Sequence, residues 1–245
     1  MSSVKPKTLI TLAFFQVLLL SGVAAEASEA VREAISKLQP NAKDVQISPS
    51  PIPGISEVAI GLQVLYVSND GEFALGGPML SLAKGVNLTE RSLAGSRVKL
   101  LDDSSASTFH YPAAKPKHQV TVFTDIDCPH CRRMHNELPA MQAAGIDVKY
   151  VLLPRAGVGS ASYVKSVSAA CAQDPEASIT AAMNGKKPPT KTCEHPIDDH
   201  LELSRSLNVS STPSIVLEDG QLVLGYHSAE ALLKVIAQRT SARAL

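Results

Sequence analysis

Cys128 and Cys131 are separated by Pro129 and His130, and they follow an apolar run that begins at Val120 and ends at Asp125. A Cys-x-x-Cys dithiol where a strand hands over to a helix has the pattern of a redox centre. At a helix N-terminus, unpaired backbone N–H groups and the helix dipole favour an anion, which here would be the Cys128 thiolate. Pro129 suits the first helical turn, because its missing N–H would have had no helical partner. His130 adds a group able to carry positive charge. Together these features predict a lowered Cys128 pKa and a populated thiolate. That thiolate attacks a disulfide, and Cys131, one turn further on, resolves the mixed disulfide. An inert structural disulfide needs no such placement.

Several neighbours bear on this chemistry. Asp125 either relays a proton through water to Cys131 or simply ends the strand. Asp127, beside Cys128, would raise the thiol pKa by like charge and oppose His130. His135 reads as a surface or cap residue, and His118 and His227 carry no specific signal. Thr212-Pro213 lies directly before a strand. A cis bond there would present backbone beside the dithiol, whereas an ordinary turn proline would not. Cys171 and Cys193 complete four cysteines, which allow three disulfide connectivities. The close pair is the obvious one, leaving 171 with 193. A zinc site remains open, with His130, His135 and His195 as further ligands. Asn87 and Asn208 begin N-x-Ser/Thr patterns to which no role is assigned.

The elements that would hold the dithiol follow from periodicity and turn signals. Ser28 to Gln39 reads as a helix ended by Pro40. Strands are predicted over Ile55 to Ile60, Gln63 to Val67 and Phe73 to Leu75, with Asn69-Asp70-Gly71 as a tight turn between the last two. Met79 to Leu82 follows a break at Gly76-Gly77-Pro78. Leu88 to Leu101 reads as a linker helix, broken or kinked at Gly95, and 102–117 as a polar loop. The strand from Val120 leads into a dithiol helix that Pro139 kinks and Gly145 caps. A second strand runs from Asp147 to Leu153. That order makes a right-handed crossover with two parallel strands. Helices are expected at Ser160 to Ala172, Ala177 to Met183, Asp198 to Leu207 and Ser228 to Gln238. Ser214 to Leu217 and Leu222 to Leu224 form a hairpin about Asp219-Gly220. The result is β-α-β, a helical insertion, then β-β-α, which is a thioredoxin-like order.

Composition limits the partners. The 245 residues carry 23 Lys plus Arg against 23 Asp plus Glu, with 4% aromatic residues and no Trp. There is neither a basic field nor an aromatic platform for nucleic acid. The 44% hydrophobic share supports real cores. Residues 1–27 read as a secretory leader: Lys5 and Lys7, an apolar run from Leu9 to Leu20, then small residues with cleavage after Ala25 or Ala27. The run is short for a membrane span, and an exported chain would meet conditions in which disulfides form.

Phe123 to Cys131, Thr212-Pro213 and Gly225-Tyr226 resemble the periplasmic disulfide isomerases of the DsbC/DsbG type. Upstream, Leu65 to Gly71 and Gly77-Pro78-Met79 are similar to the N-terminal dimerisation domain of that family. The resemblance implies an α/β thioredoxin-like catalytic domain with a helical insertion, preceded by a small α+β, cystatin-like dimerisation domain. With the leader at 1–27, the divisions would be 28–87 for dimerisation, 88–117 for linker helix and loop, 118–240 for catalysis and 241–245 for a flexible tail. It further implies a V-shaped homodimer about an uncharged cleft, with misoxidised exported proteins as clients and a membrane thiol reductase of the DsbD type as electron donor. Cys128 would attack, Cys131 resolve, Thr212 and Pro213 form the cis-proline loop, and Cys171 and Cys193 form a structural disulfide. No cofactor and no metal are implied. Such isomerases more often carry Gly-Tyr between the cysteines, and Pro-His is typical of DsbA-like oxidases. Ser211 likewise replaces a more usual Gly. An oxidase, a sulfenic-acid reductase and a non-enzymatic dimeric chaperone are therefore the alternatives.

Overall fold

The computed structural model describes residues 28–104 and 106–243, and the predicted leader lies outside them. The chain divides into two compact units between Leu93 and Ala94. In the first, helix α1 (28–38) lies on an antiparallel sheet of β1 (Gln46–Pro49), β2 (Ile55–Ile60), β3 (Gln63–Ser68) and β4 (Ala74–Gly76), in that order. Val31 and Ile35, one turn apart on α1, pack on Val58, Leu65 and Val67 of the sheet. The alternation along β2 and β3 sets which side chains face the helix. Gly71 is required at the β3–β4 turn, because its φ is 77° and a Cβ would lie 2.9 Å from the Ala30 carbonyl oxygen. Two short strands, β5 (Leu80–Ser81) and β6 (Val86–Asn87), form a separate pair. Phe73, Leu75, Leu80 and Leu82 stay exposed along β4 and β5. The Tyr66 hydroxyl and the Thr89 Oγ1 share a buried hydrogen bond of 2.6 Å.

Helix α2 (Leu88–Asp102) passes Gly95 without a break, contrary to the predicted kink. Gly95 has nothing within 4 Å of its would-be Cβ, so no contact forces a bend there. The second unit is built on a five-stranded sheet. Its strands are β7 (Phe109–Tyr111), β8 (His118–Thr124), β9 (Ile146–Leu152), β10 (Ser214–Leu217) and β11 (Leu222–Leu224), ordered β11-β10-β8-β9-β7. β8 and β9 are parallel and the other pairs antiparallel. Between β8 and β9 lie α3 (Pro129–His135) and α4 (Leu138–Ala143). The insertion is α5 (Ala161–Ala170), α6 (Pro175–Met183) and α7 (Ile197–Ser206), and α8 (Ala229–Arg243) closes the unit. Among the described residues no helix is long and apolar enough to cross a membrane.

Three expectations need correction. β7 occupies a stretch predicted as loop. Phe109 and Tyr111 are buried while His110 faces out, but three residues are too few for alternation to register as a strand signal. The dithiol helix breaks at Asn136 and Glu137, ahead of Pro139, which sits in the first turn of a new helix where proline is tolerated. Glu137 has its own task there, accepting hydrogen bonds from the Tyr226 hydroxyl at 3.1 Å and the Ala229 N–H at 3.3 Å. Finally, α8 runs to Arg243, past the predicted start of the tail. Within this unit the β10–β11 turn presses on α2. Gly220 has φ 83°, a Cβ there would lie 1.9 Å from the Ala94 carbonyl oxygen, and Arg97 Nη1 donates to the Gly220 carbonyl at 3.2 Å.

Candidate active site

β8 ends at Thr124, and the chain turns through Asp125, Ile126 and Asp127 into α3. The Cys128 N–H donates to the Asp125 carbonyl at 3.0 Å, which closes this turn. Cys128 is the N-cap, extended at φ −81° and ψ 120°, and Pro129 follows in the first turn. The Arg132 N–H then reaches the Cys128 carbonyl at 3.0 Å. Cys128 and Cys131 are both free thiols. They are only 2% and 1% exposed.

Each sulfur has a defined backbone contact. Cys128 Sγ donates to the Thr212 carbonyl at 3.4 Å, and the Asp125 N–H donates to Cys131 Sγ at 3.4 Å. The Thr212–Pro213 peptide bond is cis. The Thr212 hydroxyl is buried with no partner that meets hydrogen-bonding distance and angle, yet its dipole favours the thiolate of both cysteines. The fold thus brings Asp125, Cys128, Cys131 and Thr212-Pro213 to one place.

The two thiols are electrostatically unequal. Burial raises the Cys128 pKa, but the Cys131 N–H, the Cys131 thiol, the Thr212 side chain and the His130 N–H outweigh it, so the net shift is downward. Burial pushes Cys131 up to about 11. Desolvation of Cys131 is the larger cause of this split, and the Cys128–Cys131 hydrogen bond, which stabilises the first anion at the expense of the second, adds to it. His130 contributes through its backbone N–H, and its side chain is exposed.

Asp125 is 3% exposed, with both carboxylate oxygens engaged. Oδ1 accepts from the Asp127 N–H at 2.9 Å and from the Ser162 hydroxyl. Oδ2 accepts from the Arg155 N–H and from Arg155 Nε, each at 3.2 Å. Burial raises its pKa, but these donors more than offset that and hold the carboxyl below its usual range. Asp127 is bound separately by Lys165 Nζ at 2.7 and 2.9 Å and by Arg132 Nη2 at 3.3 Å.

Arg155, Ser162 and Lys165 were not singled out from the sequence. A signal for Arg155 exists: Thr124 and Leu152 are partners in the parallel register, and the Leu153 N–H bonds the Thr124 carbonyl. Residues just beyond β9 must therefore lie level with those just beyond β8. His135 is a correction of another kind. It is 4% exposed, its Nδ1 lies 3.2 Å from the Tyr150 hydroxyl, and burial pushes its pKa down to about 4.

Cys171 and Cys193 are joined by a disulfide, S–S 1.97 Å, between the C-cap of α5 and the loop before α7. This takes them out of any zinc set, and among the described residues no three His, Cys, Asp or Glu side chains converge as a metal site. His195 instead stacks edge-on against Tyr163 at 6.1 Å.

Comparison with known proteins places these features in a family. The profile of a thioredoxin-like domain matches residues 108–240, and that of the disulfide bond isomerase N-terminal domain matches residues 22–90. The thiol:disulfide interchange protein DsbC of Salmonella typhimurium is 36% identical over 214 residues, spanning 86% of this chain and 88% of that protein. The chain belongs to the DsbC family. The DsbC of Escherichia coli K12 is 34% identical over 208 residues, 84% of this chain and 86% of that one. The thiol-disulfide exchange protein alpha-DsbA2 of Wolbachia pipientis shares the thioredoxin-like fold, with a TM-score of 0.50 and 19% identity, covering 62% of this chain and 99% of that one. As a DsbC-family member, the protein is a thiol-disulfide oxidoreductase with a thioredoxin-like domain and an N-terminal accessory domain.

Proposed function

We propose that the protein isomerises or reduces non-native disulfides in exported proteins, with Cys128 as attacking thiol and Cys131 as resolving thiol. The observation that carries this reading is the placing of the dithiol: Cys128 is the N-cap of α3 with its sulfur against the Thr212 carbonyl, and Cys131 lies one turn further along the helix against the Asp125 N–H. Cys128 is poised as nucleophile, while Cys131 stays protonated until a mixed disulfide has formed. In the first step the Cys128 thiolate displaces one substrate sulfur as a thiolate. A third sulfur of the substrate, as a thiolate, can then attack the substrate sulfur of the mixed disulfide and displace Cys128, leaving a rearranged disulfide and one thiolate, which is isomerisation without net redox change. Otherwise Cys131 loses its proton, attacks Cys128 Sγ and releases a reduced substrate. Thr212 and Pro213 offer backbone beside Cys128 for an extended client, and Pro129, His130 and Asp125 tune the pair.

In this reading, residues 28–87 form a cystatin-like module through which two copies pair. The exposed Phe73, Leu75, Leu80 and Leu82, with the outer edge of β4, support that role. Residues 88–117 link this module to the catalytic domain at 118–240. The protein would act in the periplasm after loss of its leader and be kept reduced by a membrane thiol reductase of the DsbD type. The Pro129-His130 pair favours a second reading as oxidase, since a stabilised thiolate makes the reduced form a good product.

The test is recovery of native activity from a scrambled, fully oxidised multi-disulfide substrate, using mature protein with its dithiol reduced. Recovery that vanishes in Cys128→Ala is expected. Undiminished rescue by Cys128→Ala would overturn the assignment. Poor rescue combined with rapid oxidation of reduced substrate by the disulfide form would favour the oxidase.

A further inference from the structure

Cys131 must lose its proton before it can release a bound substrate. Asp125 is the residue whose own N–H touches the Cys131 sulfur, and it carries a buried carboxylate. That contact is made by the backbone, and the carboxylate would become a proton acceptor for the resolving thiol only if freed to turn toward it. Here, however, four donors occupy it: the Asp127 N–H, the Ser162 hydroxyl, the Arg155 N–H and Arg155 Nε. Two of the four come from side chains beyond the dithiol loop, one after β9 and one on α5. An anion held by a guanidinium and three further donors is a weak base, and turning toward Cys131 would break those bonds.

We propose that Arg155, assisted by Ser162, is a positioning residue that withholds the Asp125 carboxylate from Cys131 and so prolongs the mixed disulfide at Cys128. This rests on the roles proposed above for the two cysteines. The consequence is kinetic partition. A substrate held longer on Cys128 has more time to rearrange its own sulfurs before Cys131 expels it. Arg155 thereby biases a generic dithiol toward isomerisation and away from reduction.

Attack forms Cys128–S–S–R and releases R′S⁻. Resolution forms Cys128–S–S–Cys131 and releases RS⁻, while the Cys131 proton passes to a base or to solvent. The ionisable groups around Asp125 are Arg155 beyond β9, whose charge also interacts directly with both thiolates, Asp127, Cys128 and Cys131 on its own loop and α3, and Lys165 and Arg132, which reach it through Asp127.

The two steps are separable by stopped flow. The probe is a short peptide whose single cysteine is disulfide-linked to a chromogenic aryl thiol, mixed with reduced full-length protein. Release of the aryl thiol reports attack, and release of the peptide thiol reports resolution. Arg155→Met is expected to speed resolution by about tenfold near pH 7. Its pH profile should also gain a limb that rises through the carboxylate range, since a released and still buried Asp125 becomes a stronger base as it ionises. Ser162→Ala, a smaller perturbation, should give a smaller gain in the same direction. The double variant Arg155→Met/Asp125→Asn should lose both the gain and the limb. Resolution in Arg155→Met and Ser162→Ala no faster than wild type would overturn the proposal. So would a gain that survives in the double variant. A second phase that persists unchanged in Cys131→Ser would instead refute the underlying assignment of the resolving thiol.

Discussion

His135 offers a quantitative test of how the dithiol helix is seated. It is the last residue of α3, 4% exposed, packed edge-on against Tyr111 at 5.8 Å and hydrogen-bonded to Tyr150. Burial takes its pKa from 6.5 down to about 4. In the unfolded chain the imidazole binds a proton below about pH 6.5, while in the fold it stays neutral until about pH 4. The contribution is therefore fully present above pH 6.5 and lost as pH falls toward 4. Linkage gives a loss of about 2.5 kcal/mol between pH 7.5 and pH 4.5 from this one group. His135→Gln keeps a hydrogen-bonding group near Tyr150 and does not titrate. Urea unfolding followed by far-UV circular dichroism suits a chain without Trp, with wild type and variant compared at both pH values. Every other group, including the buried His200 whose pKa burial also lowers, is common to both and cancels. The variant should lose about 2.5 kcal/mol less stability on acidification than wild type. Equal losses in the two proteins would refute the account of His135 as a neutral core residue.

Gly220→Val should destabilise the second unit by about 2–3 kcal/mol, since φ is 83° and a Cβ would collide with the Ala94 carbonyl; a lowered Tm with an unchanged rate of Cys128 attack is expected. Replacing both Cys171 and Cys193 by Ser should cost about 3 kcal/mol for the loop spanning 22 residues, measured by urea unfolding, and leave the attack step within about twofold. If the proposed dimer forms through this face, Leu75→Glu with Leu82→Glu should shift the full-length chain to monomer in sedimentation, because both side chains are exposed in the first unit and cost that fold little.

The legible parts of the sequence were those with strong local signals. β10 and β11 fall where their apolar runs and the Asp219-Gly220 turn place them, and the β8–β9 crossover follows from two apolar strands around a helical stretch. What escaped depends on partners distant in the chain. β7 becomes a strand only because Phe109 and Tyr111 meet β9. The helix break precedes Pro139 because Glu137 is drawn to Tyr226 and α8, some ninety residues away. The cysteine pair was evident from its spacing, but the clamp on Asp125 was not. Arg155 and Ser162 reach it only once parallel register and the α5 insertion have set their level. His135, polar and near a helix end, gave no local sign of the aromatic pocket that encloses it.

The disulfide between Cys171 and Cys193 has a consequence for the electron donor proposed above. Two dithiols share one molecule and must persist in opposite oxidation states. Accessibility does not separate them in the expected sense, since Cys193 is exposed while Cys128 is almost fully covered. A reductant guided by exposure would open the wrong bond. The discrimination must come from equilibrium: closing the Cys171–Cys193 loop is worth about 3 kcal/mol, or about 65 mV for a two-electron couple, whereas oxidising Cys128 gives up a stabilised thiolate. The donor's own potential therefore has a window, negative enough to reduce one pair and not so negative as to reduce the other.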